Sequence, residues 1–167
     1  MSEILLFGGG PVHDHKGCCD VLSTYLKEMK LDFDRVEEDY DIFCETNIKK
    51  YKTVILYHTG GELKIDQKRG FVEWCANGGC ILGIHGATDS FKDAPEYRAM
   101  IGGYLVAHPF FREYIVGLKD ETHPAVSKIK GYSVKDWEKW PVFEFKVDDE
   151  QYLLNYDSRV TTLAGFS

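Results

Sequence analysis

No apolar run in this sequence approaches the roughly 18 residues that a membrane-spanning helix requires, so no segment is expected to cross a bilayer. The opening segment, Met1–Phe7, lacks the basic start and the length of a signal peptide. A cytoplasmic location is the expectation. Basic residues are in the minority, 20 Lys and Arg against 27 Asp and Glu, for a net charge of -7. Nothing resembles a basic groove or tail, which argues against nucleic acid as a partner. Cysteines are few and odd in number (18, 19, 44, 75 and 80), with no CxxC pair. They read as free thiols in a reducing compartment rather than a disulfide frame. Repeats, low-complexity stretches and linkers are absent too. The 167 residues, 44% of them apolar, suit a single domain over residues 1–167 with a sizeable core.

The first half of the chain alternates strand and helix signals. "EILLF" (Glu3–Phe7) is a short apolar run closed at once by Gly8, Gly9, Gly10 and Pro11, a buried strand ending in a loop. Gly17–Met29 carries Val21, Leu22, Tyr25, Leu26 and Met29 at helical spacing. "DFDRVEED" resembles a strand with one wet face, and Thr53–Tyr57 is a strand again ended by glycines. Asp66–Asn77 reads as a helix with Phe71, Trp74 and Cys75 inward, and Gly78 and Gly79 permit a left-handed end. Cys80–Ile84 is a continuous apolar run expected as a buried strand, and Cys75 and Cys80 read as core. Ala94–Ile101 suits a helix with Pro95 at its start. This order argues for a parallel sheet covered on both faces. Farther on, "YLVA", "REYIVGLKD" and "VFEFKVDDEQYLLNY" suit strands.

In open α/β sheets, ligands gather beyond the carboxyl ends of the strands. Four loops leave such ends here, "GGGPVHDHKG", "HTGGELK", "HGATDSF" and "HPFF". Five of the six histidines, His13, His15, His58, His85 and His108, lie in them. In "PVHDHKG", His13, Asp14 and His15 offer two imidazoles and a carboxylate, groups that hold a divalent metal or share a proton with a substrate hydroxyl. If the loop is extended, His13 and His15 converge and Asp14 points away, to orient a neighbour or cap the coming helix. Gly9 and Gly10 would let a ligand approach the backbone. Their spacing matches neither GxGxxG nor GxxxxGK[ST], so no nucleotide cofactor is expected.

His85 sits in Gly83-Ile84-His85-Gly86, whose small residues suit a sharp strand-to-helix turn like a nucleophile elbow. Imidazole there serves as base, acid or metal ligand. Asp89 orients a histidine, binds a sugar hydroxyl or caps the next turn. His108 ends another short strand as a further imidazole. Tyr57, His58, Glu62 and Glu150 are weaker contributors to a shared site. Cys18 and Cys19 begin a helix, where a thiol pKa can fall, although burial as small hydrophobes is the commoner fate.

Taken together, "HDHKG", "VILYHTGG", "GGCILGIHGATDSF", "PEYRAMIGG", "HPF", "THPAV" and "DEQYLLNY" resemble the ThuA-like family, named for trehalose utilisation proteins. The resemblance runs from Ile4 to about Val160. It implies an α/β, flavodoxin-like three-layer sandwich with a mainly parallel central sheet, related to the class I glutamine amidotransferases. It places His85 where those relatives carry their catalytic cysteine, so glutaminase chemistry by the cysteine route is not expected. It directs attention to His13, Asp14, His15, His85, Asp89 and His108. ThuA-like proteins commonly continue past the "DEQYLL" region to a strand ending in Gly-His, whereas this sequence stops at Phe166-Ser167. Either the minimal fold suffices, or a terminal strand and part of the pocket are missing, a wall that a partner subunit would then supply.

The leading expectation is a sugar- or polyol-directed enzyme with a polar, histidine-rich pocket. In a hydrolytic version, a divalent metal such as zinc held by His13, His15, His85 or His108 lowers the pKa of bound water, and Asp14 or Asp89 accepts a proton. In a metal-free version, His85 transfers protons in isomerisation or elimination. One alternative is a non-catalytic carbohydrate-binding or regulatory protein. Another is a cysteine hydrolase using Cys18. Apolar strands leave edges that need cover, so a homodimer is expected. Light scattering coupled to size exclusion should return twice the 19.1 kDa chain mass; a clean monomer defeats that expectation.

Overall fold

The structure, a computed structural model, describes residues 2–106, 116–118 and 164–166, the last two stretches by backbone only. The chain forms two compact units, the first reaching Tyr104 and the second containing the short antiparallel pair β5 (Val116–Leu118) and β6 (Ala164–Phe166). The first unit is built from β1 (Ile4–Gly9), α1 (His15–Glu28), β2 (Phe33–Glu37), α2 (Glu45–Ile48), β3 (Thr53–His58), α3 (Ile65–Ala76), β4 (Cys80–Gly83) and α4 (Pro95–Ile101). Two 3-10 turns, Tyr40–Phe43 and His85–Asp89, follow β2 and β4. The four strands pair in parallel in the order β2-β1-β3-β4. This is the expected α/β sandwich, a parallel sheet between helical layers.

Side-chain alternation along the strands assigns the two layers. Leu5 and Phe7 of β1 and Val54 and Leu56 of β3 join Phe43, Ile48, Phe71, Trp74 and Tyr97 in one core. Leu6 and Ile55 face the opposite way and pack with Cys19 and Leu26 of α1. Each fully buried Leu or Phe contributes about 2 kcal/mol. The helix ends have local causes. Asp14 caps α1 by accepting from Gly17 N at 3.0 Å. Gln67 closes the start of α3, its Oε1 accepting from Lys64 N at 2.8 Å while its amide nitrogen donates to Asp41 Oδ1 at 2.7 Å. Pro95 opens α4, and Gly102, at φ 83°, ends it.

Two burial expectations need correction. The run Cys80–Ile84 does contain a strand, but Cys80, Leu82 and Gly83 are exposed. Among the described residues β4 is an edge strand, so an apolar sequence does not make it buried. Cys75 is half-buried and Cys80 exposed; all five thiols are free. On α1, Val21, Tyr25 and Met29 are more than half exposed. Tyr25 and Met29 line an apolar cleft of about 350 Å³ with Ile55, Leu82 and Ile84. No helix among the described residues is long and apolar enough to cross a membrane. The strands expected over 142–156 lie outside the described residues.

The chain leaves β1 toward β2 on one side and returns across it to β3 on the other. The crevice at such a reversal is the general ligand position in open α/β sheets. Its walls are the ends of β1 and β3, paired Gly8↔Tyr57 and Gly9↔His58. Beyond them, Gly10 is at φ 95°, and a Cβ there would lie 1.9 Å from Thr59 O. Gly78 has a similar φ, 99°, with open space around it. Gly78→Ala is therefore expected to cost about 1 kcal/mol from backbone strain alone, and Gly10→Ala at least about 2 kcal/mol more from the clash. Urea midpoints of the two variants measure the difference, and equal midpoints would contradict the close approach.

Candidate functional site

The loop after β1 is not extended. His15 N donates to His13 O at 2.8 Å, and α1 begins at His15. This tight turn separates the two imidazoles that an extended loop would have aligned. His13 turns toward the end of β4, where its Nε2 lies 3.1 Å from His85 Nε2. The two rings meet edge-on, centroids 4.4 Å apart and planes at 62°. His15 turns toward β2, its Nε2 3.6 Å from Glu38 Oε1 and 3.9 Å from Glu37 Oε2. Glu37 is itself held by Arg35 Nε at 2.6 Å.

His85 stands on an elbow. Ile84 is extended, His85 is left-handed at φ 55°, and the 3-10 turn His85–Asp89 follows directly. Phe91, just past that turn, is also left-handed, at φ 48°. For residues with a Cβ this conformation costs about 1–2 kcal/mol each, so the surrounding contacts must hold it. The turn is packed closely: a Cβ on Gly86 would fall 1.9 Å from Thr59 Oγ1. The His85 side chain is exposed, and Tyr57 stacks on it at 6.0 Å and 16°. The Tyr57 phenol is pushed upward, first by burial and then by a hydrogen bond with Cys18. Imidazole nitrogens at 3.1 Å share one proton, one donating and the other accepting.

Below this pair lies a buried polar chain that the sequence signals only weakly. His58 is 1% exposed. Its Nδ1 lies 2.8 Å from Ser90 Oγ and its Nε2 3.0 Å from Tyr40 OH. Tyr40 OH also lies 3.3 Å from Glu38 Oε2, while Glu38 Oε1 accepts from Gly10 N at 2.9 Å. Glu38 is left-handed, at φ 57°. The sequence conceals Glu38 because "EED" reads as a wet strand end, and Tyr40 because its 3-10 turn has no clear periodicity. The Tyr40 phenol is pushed up to about 12, by burial first and then by Glu38, and stays protonated.

The remaining expected residues are dispersed. Asp14 is exposed and serves as the α1 cap. Asp89 pairs with Lys92, and its carbonyl accepts from Gly60 N at 3.2 Å. Gly9 is buried against His58 and Glu38. Glu62 is exposed. His108 and Glu150 lie outside the described residues. Cys19 is buried, which pushes its thiol up to about 11, the reverse of activation. Among the described residues, no group of three or more His, Cys, Asp or Glu is arranged to hold a metal.

A family model described as ThuA, trehalose utilisation, matches residues 3–165. Two solved ThuA-like structures resemble the chain. One, from Bacteroides uniformis ATCC 8492, is 17% identical with a TM-score of 0.66, over 99% of this chain and 68% of that one. The other, from Parabacteroides merdae ATCC 43184, is 22% identical with a TM-score of 0.63, over 78% of this chain and 58% of that one. At such identities the likeness is one of fold. Among curated proteins there is no match.

His58 makes the site sensitive to acid. Loss of hydration, aided by His15 and opposed by Glu38, pushes its pKa from 6.5 down to about 4. Unfolding restores the ordinary value, so below pH 6.5 the unfolded chain binds a proton that the folded chain refuses. The native state keeps its full advantage above that pH and loses it as pH falls toward about 4. From pH 7 to pH 5 the expected loss is about 2 kcal/mol. Urea unfolding of His58→Asn should show that much less decline than the parent; identical declines would contradict a neutral, buried His58.

Proposed function

This chain belongs to the ThuA, trehalose utilisation, family, and from that premise we propose that it transforms a sugar or polyol by acid–base chemistry at the strand-end site. The observation that carries the reading is the exposed His85, raised on a left-handed elbow with its Nε2 3.1 Å from His13 Nε2. A base that must take a proton from a hydroxyl or a carbon next to a carbonyl needs exposure, orientation and a place to pass the charge. His85 is exposed, the turn orients it, and His13 shares the proton. The Tyr57 ring stacked on His85 limits its rotation. Glu38, held by Gly10 N, presents a half-exposed carboxylate to hydroxyls at the mouth.

The metal-free version is the one these residues support best. A zinc site takes at least three protein ligands. His13 and His85 provide two nitrogens at a separation near the ~3.3 Å of neighbouring tetrahedral ligands. His15 Nε2 points toward the Glu37 and Glu38 carboxylates and away from His85, Asp14 caps α1, and Asp89 pairs with Lys92. Among the described residues no third donor joins His13 and His85 in a metal-holding group. The Cys18 alternative is weaker, since that thiol lies against Tyr57 on α1 and not on the elbow.

Proton NMR of trehalose and a panel of keto-sugars and polyols, incubated with the protein, tests the proposal, with calorimetry for binding. His85→Ala is expected to lower turnover at least about 100-fold and His13→Ala about 10-fold, with sugar affinity changed far less. Binding without turnover, and unchanged in His85→Ala, would establish the carbohydrate-binding alternative instead.

A further inference from the structure

We propose that His58 is a positioning residue, which acts through Ser90 to hold the Gly86 carbonyl and with it the turn that raises His85. This rests on the reading of His85 as the group that moves the proton. Ser90 Oγ lies at a junction, 2.8 Å from His58 O, 3.3 Å from Gly86 O and 2.8 Å from His58 Nδ1. A serine hydroxyl has one proton. Directed at the two carbonyls, it leaves the oxygen to accept, so His58 Nδ1 carries the hydrogen. His58 Nε2 is then an acceptor, and the single proton of the Tyr40 phenol is shared between it at 3.0 Å and Glu38 Oε2 at 3.3 Å.

The ring itself is clamped. It stacks on Phe91 at 4.6 Å and 23°, and the glycine at position 61 leaves it room, since a Cβ there would lie 2.9 Å from His58 Cε1. The far side of the turn is tied in the same manner, Tyr97 OH donating to Ala87 O at 2.7 Å. Two consecutive carbonyls after His85 thus accept from side chains fixed in the core. An apolar ring at position 58 would pack against Phe7 and Phe91 without the penalty of burying a polar group. What imidazole adds at this place is a bond at each nitrogen, to Ser90 at Nδ1 and to Tyr40 at Nε2, and the first of these reaches the turn.

The alternative is that His58 only fills space. Asparagine keeps an amide donor near the Nδ1 position, whereas glutamine carries its amide out toward Tyr40. Ring-to-ring NOEs between His13 and His85, measured in histidine-labelled protein, report the elbow without requiring any activity. The NOE and the Gly86 amide shift are expected to survive in His58→Asn and to be lost in His58→Gln and in Ser90→Ala. Where a sugar is turned over, the last two should lose at least 10-fold in kcat. Unchanged NOEs in folded Ser90→Ala, or equal behaviour of the Asn and Gln variants, would overturn the positioning role. Failure of the acid–base reading is seen separately, as unaltered turnover in His85→Ala or as sugar binding with no turnover in the parent protein.

Discussion

The pairing of β1 with β3 is the constraint on which the site depends. Its register places Gly9 beside His58, and the next residue, Gly10, passes within contact of Thr59. No side chain fits between the two strand ends there. The backbones therefore close the floor of the crevice, and the functional side chains rise from the loops around it. From the β1 loop comes His13, from the end of β2 Glu38, from the 3-10 turn after it Tyr40, from β3 Tyr57 and His58, and from the elbow after β4 His85.

The same rim holds imidazoles in two opposite states of solvation. His58 has been stripped of water, and both ring nitrogens are committed to hydroxyl partners. Its pKa falls because a charged ring there would lose its hydration without a carboxylate in direct contact. His85 is exposed, His13 is half-buried, and the two face each other. Division of this kind suits a site where one group must hold geometry and another must exchange protons. The strain at His85, Phe91 and Glu38 lies in the same zone, and non-glycine residues keep that conformation only where neighbouring contacts over-determine it.

Much of the scaffold was legible beforehand. Apolar runs ended by glycines mark β1 and β3, and helical spacing marks α1 and α3 to within two residues at either end. The elbow at Gly83-Ile84-His85-Gly86 could be anticipated because small residues surround one functional group. Burial was less legible. Cys80 and Leu82 are as apolar as the residues of β1, yet they lie on an edge. Apolarity states what a residue prefers, and neighbours decide what it receives.

Sequence alone determined the order of strands and helices in the described part of the chain, the parallel sheet, and the place of His13 and His85 just past strand ends. These follow from local periodicity and turn chemistry, which act over a few residues. Only the tertiary structure decided which groups meet. His13 joins His85 across 72 positions of chain, and His15, two residues away, turns instead to Glu38. Single backbone angles and a strand register select those partners, and no pattern in the residues themselves records them.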